Sequence, residues 1–372
     1  MPHAFRPKQA PTRFHKNAPQ PTHYALTVPG LEDIAAGELR GAGATITGTL
    51  TRIDKRDGMV LFRADDIAPV MRCGTIEDVF QVVLDEPTGG GRNAPRRLAR
   101  AMERLAFERA LAQHHALRPG KRGRSYRIVA RVSGEQPVRR DEVEAAFASA
   151  VDGMLGKWVP AKENPALELW AHVVGDRTIA GVRLSDDMLA GRNYKRAHLP
   201  ASLKPTVARA LAILADVKPS DVILDPMCGA GTILREAGEQ ATAQSRRSRG
   251  GVIIGGDIDL EALSAARQNA GKLARLALWD AARLPLRSGI ADAVITNPPY
   301  GRQHEATPGL ARLYRDLMHQ IARVLVPGGR CVILTGEPAA LLEALPRPMK
   351  VRDKRRLLLR GLPVTAFVMV RG

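Results

Sequence analysis

The segment that most restricts the fold runs from Asp221 to Ala237. Asp221-Val222-Ile223-Leu224-Asp225 is an apolar strand pattern ending in a carboxylate, Pro226-Met227-Cys228-Gly229-Ala230-Gly231-Thr232 is a tight glycine turn, and Ile233 to Ala237 reads as helix. A strand, a glycine turn and a helix in that order form the ligand-binding corner of an open α/β sheet. A dinucleotide fold needs a third Gly or Ala for close helix packing where this chain has Leu234, which argues against a nicotinamide dinucleotide. A second strand, Gly251 to Asp257, again ends in a carboxylate, placed to accept both hydroxyls of a ribose. After a helical stretch from Leu260 to Leu273, the run Leu276-Ala277-Leu278-Trp279 delivers Asp280, whose carboxylate can accept from an adenine amino group.

A third apolar run, Ala293-Val294-Ile295, leads into Asn297-Pro298-Pro299-Tyr300. An exocyclic amine on an aromatic ring is a poor nucleophile because its lone pair is delocalised. Acceptors that draw on its protons correct this: Asn297 Oδ1 and the Pro298 carbonyl can be those acceptors, with Tyr300 stacking on the ring. These four ordered motifs resemble the class I S-adenosylmethionine-dependent methyltransferases that methylate amines through Asn/Asp-Pro-Pro-Tyr, and the resemblance covers roughly Val207 to Arg371. It implies that Asp225, Gly229 and Gly231 wrap the methionine part of the cofactor, Asp257 holds the ribose and Asp280 the adenine. Pro226, Cys228, Thr232, Ile258 and Ala281 stand beside them, and Asn297 to Tyr300 form the catalytic motif. No Pro-Cys follows Tyr300, so the covalent cysteine route to pyrimidine C5 is excluded and the target is an amino nitrogen.

Cys73, Cys228 and Cys331 form no Cys-x-x-Cys spacing, which speaks against a metal site or a disulfide framework and for a reducing compartment. With no secretory apolar segment and no run long enough to span a bilayer, a cytoplasmic protein is expected, with no membrane or metal partner and no protein partner required. The formal charge of +18 points to a polyanion. That charge is local: residues 92–131 hold 12 basic residues against two acidic, whereas residues 23–91 hold 6 against 11. A solvated face mixes signs, so Arg96, Arg97, Arg100, Arg122, Arg124 and Arg127 are expected to contact RNA. Phe107 and Tyr126 are the only aromatics of that stretch, which favours shape and phosphate recognition over base stacking.

Periodicity in the first half predicts strands at His23 to Val28, Met59 to Phe62 and Asp78 to Leu84, with helices at Leu31 to Leu39 and Asp66 to Arg72. Beyond Gly89-Gly90-Gly91, it predicts a helix from Leu98 to Leu117, a strand from Ser125 to Val132 and a helix from Arg140 to about Leu155. Two strands, Leu167 to Val174 and Thr178 to Leu184, turn at Gly175-Asp176. This order resembles a THUMP domain, an RNA-binding module of tRNA and rRNA modification enzymes. The stretch His198-Leu199-Pro200-Ala201-Ser202-Leu203-Lys204-Pro205-Thr206 is similar to one in THUMP-containing guanine-N2 methyltransferases, which implies that Ser202 and Lys204 border the cofactor.

The expected architecture is therefore α/β: a Rossmann-like class I methyltransferase domain on a mainly parallel seven-stranded sheet, preceded by an α+β ferredoxin-like plus THUMP RNA-binding half. Residues 1–22, with four basic and no acidic residues, are expected to be a disordered arm. Residues 23–91 would be the ferredoxin-like part and 92–186 the THUMP-like part; 187–206 would be a linker and 207–372 the catalytic domain, with Val364 to Val370 an added antiparallel strand. The resemblance implies methyl transfer to guanine N2, with tRNA the expected substrate. The alternatives are a 23S rRNA guanine-N2 methyltransferase, a DNA adenine or protein glutamine methyltransferase, or a non-catalytic RNA-binding protein.

Overall fold

The computed structural model describes residues 13–14, 20–51, 53, 57–120, 123–200, 202–243, 251–300 and 309–372. The chain divides into two units, Met1–Leu189 and Ala190–Gly372.

The first unit is built on a nine-stranded sheet. Its strands are β1 (Arg13–Phe14), β2 (His23–Thr27), β3 (Thr45–Leu50), β4 (Gly58–Arg63), β5 (Ile76–Pro87), β6 (Ser125–Ser133), β7 (Val159–Pro160), β8 (Leu167–Val174) and β9 (Arg177–Arg183), in the order β1-β3-β4-β2-β5-β9-β8-β6-β7. The helices are α1 (Glu32–Gly41), α2 (Ala94–Ala101), α3 (Arg104–Leu117) and α4 (Arg140–Leu155), and a short α5 (Asp187–Gly191) begins at the unit's end and runs into the next. Successive strand residues point to opposite faces, so Ala25, Val60, Phe62 and Val79 pack with α1, while Tyr24, Leu26, Met59, Leu61 and Phe80 form a separate cluster.

Several expectations for this unit need correction. The parts predicted as 23–91 and 92–186 share one sheet, joined where β5 pairs antiparallel with β9 from Phe80↔Arg183 to Pro87↔Arg177. Strand β3 was not expected: Thr-Ile-Thr-Gly-Thr-Leu offers few apolar residues, and its pairing shifts register between Ile46 and Gly48. The predicted helix at Asp66 to Arg72 is a single 3-10 turn, Val70–Arg72. The single helix from Leu98 to Leu117 is two, because Met102 and Glu103 are both extended; Leu98 and Met102 are buried on a continuous i, i+4 pattern that hides the break from periodicity. Of the arm expected at residues 1–22, residues 1–12 and 15–19 lie outside the described residues; Arg13 and Phe14 pair with Thr49 and Gly48, and Thr22 bonds to Phe62 and Val82 through its backbone.

The second unit opens with α6 (Pro205–Leu214) and carries a seven-stranded sheet. It continues through β10 (Val222–Asp225), α7 (Thr232–Ala243), β11 (Val252–Asp257), α8 (Leu260–Ala270), β12 (Ala274–Leu278) and β13 (Ala291–Thr296). Then come α9 (Leu310–Val324), β14 (Leu325–Thr335), α10 (Pro338–Glu343), β15 (Met349–Leu359) and β16 (Leu362–Arg371). The order is β12-β11-β10-β13-β14-β16-β15, and β16 alone runs against the rest. Helix α9 was not predicted; Tyr314, Leu317, Met318 and Ile321 on its inner face are buried in the core with Ile333 and Phe367. The chain order reverses between β10 and β13, and at such a switch point the crevice beyond the carboxyl ends of the strands is where an open sheet binds its ligand.

Candidate active site

At the end of β10 the turn needs its glycines. Gly229 and Gly231 have φ of +47° and +74°, and a Cβ on Gly231 would stand 3.0 Å from the Ala266 backbone of α8. Around Gly229 nothing lies within 4 Å of such a Cβ, so the turn faces open space. Asp257, at the end of β11, stitches the corner together: Oδ2 accepts from Gly229 N at 2.9 Å and Oδ1 from Asp259 N at 3.1 Å, leaving each oxygen a second lone pair. Cys228 is buried and its backbone N donates to Gly256 O.

Trp279, which the sequence reading passed over as part of an apolar run, is the keystone of this corner. Its Nε1 donates to Pro226 O at 3.0 Å, and its ring lies where Gly256 has no side chain, 2.0 Å from an imagined Cβ. Asp280 follows, exposed, with Oδ1 accepting from Ala282 N at 2.8 Å; Ala281 is buried. Ile258, Leu260 and Leu278 are 70%, 68% and 55% exposed on the residues flanking these carboxylates. Open space at the glycine turn, carboxylates with free lone pairs and uncovered apolar side chains fit a nucleoside with a charged amino-acid tail, the chemistry of S-adenosylmethionine.

The Asn297-Pro298-Pro299-Tyr300 tetrapeptide leaves β13 beside this corner. Asn297 Oδ1 is buried and unpartnered, and so are Thr296 Oγ1, Thr232 Oγ1 and Asp225 Oδ2. Asp225 is 1% exposed, with Oδ1 accepting from Met227 N at 3.2 Å. Burial raises its pKa to about 7, opposed by the nearby Thr296 hydroxyl and the Met227 amide and reinforced by the charge of Asp257. The Tyr314 hydroxyl is 2.6 Å from Thr335 Oγ1 and donates weakly to Pro299 O at 3.4 Å. Tyr300 seats its half-buried ring against Gly336, where a Cβ would come within 2.5 Å of Cδ2, and burial raises its pKa. Tyr314, Thr335 and Gly336 were not singled out in the sequence; they lie 14 to 36 residues beyond Tyr300 and meet it only through the sheet.

A second missed residue is Asn269. It is 1% exposed on α8 and uses all four of its hydrogen-bonding positions: Oδ1 accepts from Arg196 N and Ala197 N, and Nδ2 donates to Ala197 O and Ala230 O, at 2.8–3.0 Å. It thereby ties residues 196–197 to the glycine turn. Buried Glu236 of α7 holds the same segment through Arg192 and Tyr194, and pairs with Arg209 of α6. Of the two predicted border residues, Ser202 Oγ accepts from Leu199 N at 3.0 Å, and Lys204 caps α6 through its backbone.

The basic stripe of the first unit divides. Arg96, Arg100 and Arg124 are exposed, and Arg97 is exposed while donating to Thr88 O. Arg122 lies outside the described residues. Arg127 needs correction as a free cation: its guanidinium pairs with the buried carboxylate of Glu168 and donates to Lys162 O. Phe107 and Tyr126 are core residues. A cavity is nevertheless lined by Tyr126 and by Trp170 on β8, which lies under the Arg131 guanidinium at 5.3 Å. That cavity, of about 880 Å³, is also lined by Arg140 and Lys162. His114 is buried with its ring nitrogens 2.9 Å from Arg183 O and Ala166 O, a packing role. Among the described residues there is no metal-binding cluster and no helix long and apolar enough to cross a membrane.

Residues 192–357 match the RMKL-like methyltransferase domain family. Over 358 residues the chain is 33% identical to the tRNA (guanine(6)-N2)-methyltransferase of Thermus thermophilus, covering 93% of this chain and 98% of that protein. It is 29% identical over 238 residues to the tRNA (guanine(6)-N(2))-methyltransferase THUMP3 of Bos taurus, covering 59% of this chain but only 45% of that longer protein. The crystal structure of TrmN from Thermus thermophilus matches with a TM-score of 0.76 at 27% identity, over 94% of this chain and 99% of that one.

Proposed function

Because the chain belongs to the THUMP-containing family of class I S-adenosylmethionine-dependent RNA guanine-N2 methyltransferases, we propose that it methylates a guanosine of tRNA, held by Asn297 to Tyr300 while the arginine-rich stretch 92–131 of the first unit grips the RNA. The observation that carries the site assignment is the buried, unpartnered Asn297 Oδ1 at the end of β13. A buried acceptor without a donor is a place for an incoming N–H, and the bond it accepts strengthens as the amine gains positive charge in the transition state.

When bound, the cofactor supplies a methyl group on a cationic sulfur, already an activated leaving group. Asp257 and Asp280 orient the nucleoside through their remaining lone pairs, and the Gly229 to Gly231 turn gives the amino-acid tail room to approach the backbone. Asn297 Oδ1 and the Pro298 carbonyl accept from the amine of the target base and fix its plane, while Tyr300 stacks on the ring. No strong base is required, because the amine sheds its proton readily once methylation has made it cationic. Holding the nitrogen in line with the methyl within contact distance supplies most of the acceleration. The protein acts in the cytoplasm, in keeping with three buried cysteines and the lack of any Cys-x-x-Cys spacing in the sequence.

The test is incubation with tRNA, rRNA and duplex DNA and labelled S-adenosylmethionine, followed by nucleoside mass spectrometry. N2-methylguanosine in tRNA is the expected product. N6-methyladenosine, or label in rRNA alone, would overturn the proposal.

A further inference from the structure

The last hairpin of the second unit carries charge that the site does not use. From Met349 to Arg371 there are seven basic residues and one acid, Asp353, whose Oδ1 accepts from the Lys354 backbone. Lys350, Arg352 and Arg356 are exposed on β15, and none is ion-paired among the described residues. Strand β15 ends the sheet order, so among the described residues one of its long sides has no strand beside it. Charge on an open edge has an ordinary purpose, which is to discourage pairing with another chain, and either sign of charge serves it.

Strand register adds what that purpose does not explain. Thr335 of β14 pairs with Thr365 of β16, and Thr365 pairs with Arg356 of β15, so the three form one lateral row. Thr335 is the residue bonded to Tyr314, which reaches Pro299 of the amine-binding motif. Two strand spacings, roughly 10 Å, therefore separate Arg356 from Thr335, the residue of the row that reaches the motif through Tyr314. Because β15 runs parallel to β13 and β14, its Arg356 end is at the same border of the sheet as Asn297. The bulge at Arg352, between Val351 and Asp353, offsets the strand and lets basic side chains leave on both faces.

We propose that β15 is a second RNA-contacting surface, on which Arg356 engages a phosphate next to the target nucleotide while Arg352 and Lys350, farther down the strand, engage phosphates farther along the RNA, and so the base is seated over Asn297. The inference rests on the reading of RNA as the substrate. It adds that the catalytic unit holds the RNA backbone itself rather than only receiving a base.

The test separates the two purposes by sign. In Lys350→Glu/Arg352→Glu/Arg356→Glu the edge stays charged, so a strand that only guards its edge would leave RNA binding as it was. The proposal expects tRNA affinity to fall by at least about tenfold at 0.1 M salt, and the slope of log affinity against log salt to flatten by up to about 0.9 per lost contact. S-adenosylmethionine affinity should stay at the wild-type value. Should the reversed protein not fold, the Gln triple variant must show the flattened slope alone. Wild-type methylation of RNA with an unchanged slope in the variant would overturn this inference only; a wild-type protein that binds no RNA would overturn the functional reading and this inference together.

Discussion

At the strand ends of the second unit, Asp225 Oδ2, Thr232 Oγ1, Thr296 Oγ1 and Asn297 Oδ1 are buried without partners, whereas in the first unit Arg127, Arg177 and Arg183 are held against Glu168, Asp85 and Asp78. The first unit has orphaned atoms too, His172 among them, but that ring lies among Tyr24, Phe80 and Trp170, and burial, with Arg131 nearby, lowers its pKa to about 3 and keeps it neutral. The difference teaches where to look for a ligand. Unsatisfied acceptors gathered at one sheet border mark a place that a ligand completes, while a cation is available to a phosphate only if no carboxylate has claimed it.

The largest effect expected from this contrast concerns Asp225. Its folded-state pKa of about 7 lies above the ordinary carboxylate value, so the folded protein binds the extra proton. Stability should therefore fall as pH rises from about 4 to 7 and then level off, by up to about 4 kcal/mol from this group. Denaturant melts across that range should show the decline in the wild type and less of it in Asp225→Asn; identical profiles would remove Asp225 from the set of strained groups.

Next in size is the cofactor corner. Asp257→Ala should weaken S-adenosylmethionine binding by about 1.5–3 kcal/mol, the worth of hydrogen bonds to a charged group, with RNA affinity nearly unchanged. Calorimetry on the folded variant that finds unaltered cofactor affinity would break the assignment. The claimed arginine gives a smaller change of a different kind. Arg127 is 39% exposed and its partner Glu168 keeps Arg183 and the Trp170 indole, so Arg127→Ala should cost only about 1–2 kcal/mol of stability. Smallest in stability is Arg124→Ala, at a few tenths of a kcal/mol, but it should flatten the salt dependence of RNA binding by up to about 0.9. If Arg127→Ala flattened the slope and Arg124→Ala did not, the division of the stripe drawn from the ion pairs would be wrong.

What the sequence made readable follows the same line. The glycine turn, Asp257, Asp280 and Asn297 all sit where a strand stops, and a strand's end can be read from a few neighbouring residues. The antiparallel β16 was visible for the same reason, as an apolar run of the right length. Asn269 was not, because it lies in the last turn of α8 and its partners are 39 to 73 residues away. Trp279 looks like one more apolar residue until the bare Cα of Gly256 gives its ring a place. Arg127 and Arg124 look alike in the sequence, and only Glu168, 41 residues on, distinguishes them.

The central claim is that Asn297 Oδ1 serves the amine in the transition state and is not part of the RNA or cofactor grip. Single-turnover methylation of tRNA by Asn297→Ala, with tRNA and S-adenosylmethionine affinities measured on the same preparation, tests it most directly. The rate should fall by about a hundredfold or more with both affinities near wild type, and Asn297→Asp, which keeps an acceptor, should lose less. An alanine enzyme that formed N2-methylguanosine at the wild-type rate would contradict the account.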